Sequence, residues 1–411
     1  MKAEIISIGT ELLLGEIQDT NASYIASRLP ALGIDLYYVH VVGDNIDRLT
    51  EVYQRASARA DLVICTGGLG PTEDDVTRDA IAALFKEKIE PEPALERELR
   101  TYFAGRGITM PQNNLRQATL IPSAQAIPNK RGSAPGWWVE KNGKIIASMP
   151  GVPPEMFLMW EEQVAPRLLE RADGSVIVSR LLKTNGVGEG QVDEMLSPLL
   201  GSTNPTIGVY AKIDGVHLRM SAKAAHPDEA NALLDAMEPK VRAILGDIIW
   251  GEDEDTPGQV AGVILKERGL SVATIESITG GMVASAFTDV PGSSAYFRGG
   301  FVTYSNELKV LAGVDSRIIE EHGAVSEETA RAMAAAVRAR TGSDIGLSTT
   351  GVAGPDSLDG KPPGTVFIGL ATASDQRSST GGIVLRNRPD IRQRATANAL
   401  LFLRRYLLGL D

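Results

Sequence analysis

The sequence predicts an α/β protein built as two doubly wound α/β domains joined by a small α+β module. Three observations lead there. Short apolar strands alternate with amphipathic helices at both ends of the chain, the pattern of mostly parallel sheets with helices on both faces. Between them that alternation gives way to a strand, a helix, a hairpin and a helix. The length of 411 residues also exceeds one typical domain.

In the first segment "AEIISIG" reads as a buried strand and "TNASYIASRLPALG" as a helix closed by Gly33. "DLYYVHVV" is a strand, "NIDRLTEVYQRASARA" an amphipathic helix, and "DLVICTGG" a strand ending in glycines. Helices are expected in "DDVTRDAIAALFKE" and "PALERELRTYFAGRG", then the strand "KIIASMPG" and a helix from about Pro154 to Arg171. We place the first domain at residues 1–172. In the module, residues 173–250, "TIGVYAK" and "GVHLRMSAK" form a hairpin around Asp214-Gly215, in which Val216, Leu218 and Met220 alternate with polar residues. A helix from about Pro227 to Leu245 follows, and the acidic "GEDEDTPG" reads as a linker. The last domain, residues 256–411, returns to alternation: helix "QVAGVILKERG", strand "SVATIES", helix start "GGMVASAF", strand "YFRGGFVTYS", helix "EETARAMAAAVRART" and strand "DIGLSTTG". Two adjacent strands, "GTVFIGLATA" and "RSSTGGIVL", and a long helix close the chain.

Composition narrows the function. A net charge of −11 and a pI near 5.1 oppose a general nucleic-acid binder. The single cysteine, Cys65, excludes an intrachain disulfide and cysteine-based zinc sites, and it reads as a small core residue. The N-terminus does not read as a secretory signal, and no apolar run approaches the roughly 20 residues of a membrane helix. A cytoplasmic location without membrane contact is the expectation.

One glycine-rich constellation, "CTGGLGPTEDDVTRD", falls where a strand ends and a helix begins. Gly67, Gly68 and Gly70 allow a turn whose amides face outward, and the helix adds its positive end, which suits a phosphate or diphosphate. Asp74 and Asp75 follow, with Glu11 and Asp44 after the first two strands; carboxylates beside a phosphate site suggest a bridging divalent cation such as Mg²⁺. Taken singly, Asp74 and Asp75 also read as first-turn acids on a helix dipole. No lysine follows the glycines, so this is not a Walker loop.

A second constellation gathers "ESITGG", "TYSNELK" and "STTGVAGP" at strand ends. Ser277 there is a candidate nucleophile, with Gly280 and Gly281 offering backbone donors for acyl transfer. Of the four histidines, His40, His217, His226 and His322, only His322 lies in this domain, and it reads as a helix-end residue. Lys309 is the better base, since a desolvated lysine can deprotonate a serine; alone it would read as a solvated helical lysine, and Ser277, Tyr304 and Thr350 shift that reading. Arg386, Arg388, Arg392, Arg394, Arg404 and Arg405 read as a solvated cationic face of the last helix rather than a nucleic-acid face.

Together "GTELLLGEIQDTNA", "TGGLGPTEDDVT", "PGVPPEM", "ESITGG", "GGFVTYSNELK", "HGAVSE" and "TTGVAGP…KPPGTV" make the whole chain resemble the competence/damage-inducible protein A (CinA) family. The resemblance implies a molybdopterin-binding-like N-terminal domain and a C-terminal nicotinamide-nucleotide amidase. The latter converts nicotinamide mononucleotide to nicotinic acid mononucleotide and ammonia, with Ser277 as nucleophile, Lys309 as base, and Tyr304 and Thr350 assisting, without a cofactor. Gly280, Gly281, Asn306 and Gly351 would contact that substrate. The N-terminal domain would be a metal-dependent ADP-ribose pyrophosphatase, with Glu11, Asp44 and Asp75 near the metal and Thr10, Gly67, Gly68 and Gly70 around the diphosphate. A homodimer is implied as well. The usual "ESCTGG" of the family is "ESITGG" here, with Ile278 in the cysteine's place. Two rival readings stand beside this one: an N-terminal domain that binds a pterin or nucleotide without hydrolysis, and an accessory factor in DNA uptake or repair acting through protein partners.

Overall fold

Alternation along Lys2–Ile8 sends Ala3 and Ile5 to one face of a sheet and Ile6 and Ile8 to the other, each into its own apolar cluster. The computed structural model describes residues 1–171, 174–358, 360–382 and 387–410. Two compact units emerge, Met1–Val178 with Ala222–Leu233, and Ser179–Ser221 with Leu234–Asp411.

The six-stranded sheet of the first unit runs, edge to edge, Asp35–Val42, Lys2–Ile8, Leu62–Thr66, Lys144–Met149, Gly136–Lys141 and Ala124–Ile127. The first four strands are mutually parallel, as expected; the last two are antiparallel additions that the pattern reading missed. Asn142-Gly143, both at positive φ, joins Gly136–Lys141 to Lys144–Met149 as a tight hairpin, and this dipeptide was the available signal. Helices Thr20–Arg28 and Pro153–Met159 cover one face, Ile46–Arg59 and Thr77–Phe85 the other. The helix after the glycine loop begins at Thr77, so Asp74 and Asp75 lie in the loop before it rather than in its first turn.

The second unit holds one sheet whole and most of a smaller one. The smaller runs Thr206–Lys212, Gly215–Ala224, Val176–Thr184, Ile249–Glu252. The hairpin is present, with Val216, Leu218 and Met220 buried and Arg219 exposed between them. "GEDEDTPG" is not a free linker: its start belongs to the Ile249–Glu252 strand, and Asp253 and Asp255 bond the backbone amides of Leu181 and Glu252. That strand is too short and too acidic at its end for alternation to reveal it.

The larger sheet runs Phe297–Val302, Val272–Glu276, Ile345–Gly351, Thr365–Ala371, Gln376–Gly382. The first three strands are parallel and the last two add antiparallel. Helices Pro257–Arg268, Met282–Thr288 and Arg388–Leu408 pack one face, and Ser316–His322 and Glu327–Thr341 the other. Among the described residues no helix is long and apolar enough to cross a membrane.

Candidate active sites

In the first unit the C-terminal ends of parallel neighbours meet, as open α/β sheets require of a binding edge. Gly67 has φ +105°, and a Cβ there would stand 2.1 Å from the Ile8 carbonyl oxygen, so only glycine lets this loop cross the neighbouring strand end. The Gly67 amide is taken by the Met149 carbonyl and that of Gly70 by Asp75, which corrects the expectation that all three glycine amides face outward. Those of Gly68 and Leu69 find no acceptor among the described residues. Thr77 bonds the Gly67 carbonyl at 2.8 Å.

Beneath the loop lies Arg78, a buried cation the sequence reading passed over. Its guanidinium donates to the carbonyls of Leu69 at 2.9 Å and Pro135 at 3.3 Å. Burial draws its pKa down to about 10, with Asp75 acting in the opposite direction. Arg116 adds charge nearby, bonding the Thr72 carbonyl and Asp79. The Asn21 side-chain amide N–H donates to the Gly151 carbonyl at 2.8 Å.

The acids expected around a metal do not form one group. Asp44 accepts from the amide and the hydroxyl of Thr10, both at 2.8 Å. Glu11 is exposed and lies against Gly9. Asp75 accepts from the amides of Gly70 and Thr72 and from the Thr72 hydroxyl, so its carboxylate stitches the loop. Among the described residues no cluster of three or more acids, histidines or cysteines could hold a metal ion. The donor set fits a cation that arrives with phosphate oxygens and needs only one or two carboxylates, not a protein cage. Cys65 is a core residue, its thiol pushed up to about 12 by burial.

In the second unit Ser277 follows the Val272–Glu276 strand, its amide bonded to the Thr349 carbonyl at 2.9 Å. Lys309, on the short helix Asn306–Leu311 capped by Ser305, is only 2 % exposed. Its Nζ lies 3.3 Å from Ser277 Oγ and donates to the Thr303 carbonyl at 3.0 Å. Burial lowers its pKa from the ordinary lysine value, with Glu307 opposing weakly. A lysine sealed from water against one hydroxyl and one carbonyl is poised to lose its proton, unlike a solvated helical lysine.

The turn after Ser277 is organised by Glu276, which the sequence reading did not single out. Its buried carboxylate accepts from the Thr279 hydroxyl at 2.6 Å and from the amides of Gly281, Val283 and Ala284 at 2.8–3.0 Å. Gly281 is therefore not a free donor, contrary to expectation; the amides of Ile278, Thr279 and Gly280 find no acceptor among the described residues. A lone acid just before a serine and two glycines was the available signal. Arg392 braces the same turn through the carbonyls of Ile278 and Thr279, at 3.1 and 2.9 Å. Ile278 itself is buried in the apolar core.

The other expected residues make contacts of their own. Thr350 donates to the Ala324 carbonyl at 2.7 Å, and Tyr304, 61 % exposed, holds Arg388 through its hydroxyl at 2.7 Å. Asn306 is exposed at the start of the Lys309 helix. Gly351 ends its strand where a Cβ would stand 2.6 Å from the Thr365 carbonyl oxygen and 2.9 Å from Ile278. His322 ends the Ser316–His322 helix beside Glu321 and Glu328. Of the arginines expected on a solvated face of the last helix, Arg388 is exposed, but Arg392, Arg394, Arg404 and Arg405 are half-buried and bond backbone carbonyls; Arg386 lies outside the described residues.

Comparison with known proteins assigns each region of the chain to a family model. Residues 255–407 match the model of the "CinA C-terminal domain", 4–170 the "Probable molybdopterin binding domain", and 179–251 the "Damage-inducible protein CinA KH domain". A competence-damage inducible protein of Symbiobacterium thermophilum is 44% identical over 427 residues, covering 100% of this chain and 99% of its own. The chain belongs to the CinA family. A CinA-family relative in Desulforudis audaxviator is 45% identical over 378 residues, covering 91% of this chain and 92% of its own. Among solved structures, CinA from Thermoplasma acidophilum is 29% identical over 40% of this chain and 98% of its own, with a TM-score of 0.38. A competence/damage inducible protein, CihA, from Agrobacterium tumefaciens is 32% identical over 38% of this chain and 93% of its own, with a TM-score of 0.35.

Proposed function

We propose that the chain is a bifunctional hydrolase of pyridine-nucleotide recycling, an amidase acting on nicotinamide mononucleotide and an ADP-ribose pyrophosphatase. The observation that carries the amidase reading is Lys309, buried with Nζ 3.3 Å from Ser277 Oγ. As a neutral amine, Lys309 takes the Ser277 proton while Oγ attacks the carboxamide carbon. The C–N bond then breaks, and the amide nitrogen leaves as ammonia with the proton that Lys309 returns. Water, deprotonated by the same lysine, cleaves the acyl-serine ester, giving nicotinic acid mononucleotide and restoring Ser277. The amides of Ile278 to Gly280 are the nearest unoccupied donors in sequence for the developing oxyanion. Ile278 does not weaken this reading: a side chain at that position enters the core, so the usual cysteine would be a filler there as well. Tyr304 and Thr350 serve as positioning residues.

The pyrophosphatase reading rests on Gly68 and Leu69, whose amides are unoccupied above the buried Arg78. A divalent cation would be held by Asp44 and Glu11 together with the diphosphate, and it would neutralise charge on the phosphate oxygens. One observation favours a rival: with Asp75 committed to its own loop, the domain fits a ligand-binding module without hydrolysis. The exposed apolar side chains Phe301, Val302, Leu308 and Leu311, on and beside an edge strand, support a homodimer. We place the enzyme in the cytoplasm.

The test uses the full chain. Ammonia release from nicotinamide mononucleotide without added metal is the expected result, lost in Ser277→Ala; retained deamidation in that variant would remove Ser277 from the mechanism. Metal-dependent nucleoside monophosphate release from ADP-ribose separates hydrolysis from binding alone.

A further inference from the structure

Away from Ser277, the second unit contains a cavity of about 990 Å³ between the small sheet and the last helix. Its charge is lopsided. Arg377, Arg394, Arg404 and Arg405 line it, and among the described lining residues Asp247 is the sole carboxylate. In a chain of net charge −11 this is a local reversal of sign.

The arginines are not equally compensated. Arg377 pairs with Asp375 at 2.7 Å. Arg394 spends Nη1 on the carbonyls of Lys212 and Ile213, at 3.1 and 2.9 Å, leaving Nε and Nη2 without a protein acceptor among the described residues. Arg404 gives Nη2 to the Ile249 carbonyl at 3.3 Å. Neither has a carboxylate within ion-pair distance among the described residues. Burial lowers the pKa of both, and Arg405 adds like-charge repulsion to Arg404, while Asp214 acts on Arg394 and Asp247 on Arg404 in the opposite direction. Half-buried cations that lack a direct ion-pair partner cost stability unless an anion completes them.

The rest of the lining suits the same kind of guest. Gly186 and Gly188 lead into the helix Glu189–Leu200, whose first turn has no side-chain cap. Trp250, 4 % exposed, has an indole N–H without an acceptor among the described residues, and Phe402 supplies a second aromatic surface. Ser379 is half-buried in the wall. Guanidinium forks match phosphate oxygens in pairs, and aromatic faces accept a flat base.

We propose that this cavity binds a polyphosphate anion of the nucleoside di- or triphosphate class, at a site separate from both proposed catalytic centres. It does not rest on either catalytic reading. The probes are ATP and inorganic tripolyphosphate, titrated calorimetrically into the full chain without divalent metal. Both should bind the parent, and a tighter ATP isotherm would identify the nucleoside as part of the ligand, whereas equal affinities would identify the phosphate chain alone. Arg404→Gln should weaken binding at least about tenfold. Ser379→Glu keeps every arginine and inserts a carboxylate among them; it should abolish binding and raise the melting temperature of the unliganded chain, which a merely damaged fold would not do. Ser277→Ala should bind as the parent does. Binding in Ser379→Glu and Arg404→Gln within twofold of the parent, or no binding of either probe to the parent at millimolar concentration, would overturn the proposal.

Discussion

Burial of Lys309 makes its proton easier to remove, and the sign of two consequences follows. The folded chain holds that proton less tightly than the unfolded chain, so the lysine lowers stability at neutral pH, and this penalty fades as pH climbs toward the ordinary value of 10.5. Amidase activity should rise with pH along a limb set below the ordinary lysine range. Lys309→Met should cut ammonia release by about 10²-fold or more, while melting at the same or a higher temperature at pH 7. A loss of only a fewfold, measured as kcat/KM, would reduce the lysine to a positioning residue. Ile278→Cys makes the complementary case. The smaller side chain leaves a core void costing about 1–3 kcal/mol, read by denaturant unfolding, and amidase turnover should stay within a fewfold of the parent. A large gain in turnover would show that residue 278 takes part in the chemistry.

At the scale of elements, one carboxylate fixes the strand-to-helix corner. Glu276 gathers a hydroxyl and three amides, which orients the first turn of Met282–Thr288 and leaves the preceding amides unoccupied. Glu276→Gln keeps the shape but turns an –NH₂ toward N–H donors. It should lower stability by about 2–4 kcal/mol and reduce kcat more than it raises KM, since the turn rather than the substrate loses its partner. Unchanged unfolding in urea would show that the turn is held by Arg392 alone. The glycine loop of the first unit obeys a different rule. There the backbone passes so close to the Ile8 carbonyl that residue 67 has no room for a side chain, and Asp75 closes the loop from its far end.

At the scale of the whole molecule, the two proposed sites fall on the sheet edges of different α/β units, so the proposed chemistries should separate by mutation. In the full chain Ser277→Ala should leave ADP-ribose hydrolysis unchanged, and Asp44→Asn should leave deamidation unchanged; parallel assays of the two variants decide it. Loss of both activities in either variant would mean that the sites act through each other.

Much of this was legible beforehand. Strand-and-helix periodicity gave the α/β class, and the meeting of Ser277 with Lys309 followed from placing "ESITGG" and "TYSNELK" at parallel strand ends, which topology forces onto one edge. Two strands escaped: Ile249–Glu252, at four residues, is too short for a period to show, and Gly136–Lys141 was marked only by the Asn142-Gly143 turn that follows it. The destinations of individual donors escaped too. Whether Thr350 turns to Ser277 or to the Ala324 carbonyl, whether the Gly281 amide is free or taken by Glu276, and whether arginines on the last helix face water or a cavity depend on groups distant in sequence. By itself, then, the sequence determined which elements form and which residue types reach the strand ends, since those follow from local periodicity and glycine placement. Only the tertiary structure decided which hydrogen bonds those residues make and which charges are left without partners, because burial and pairing are set by neighbours that folding alone brings together.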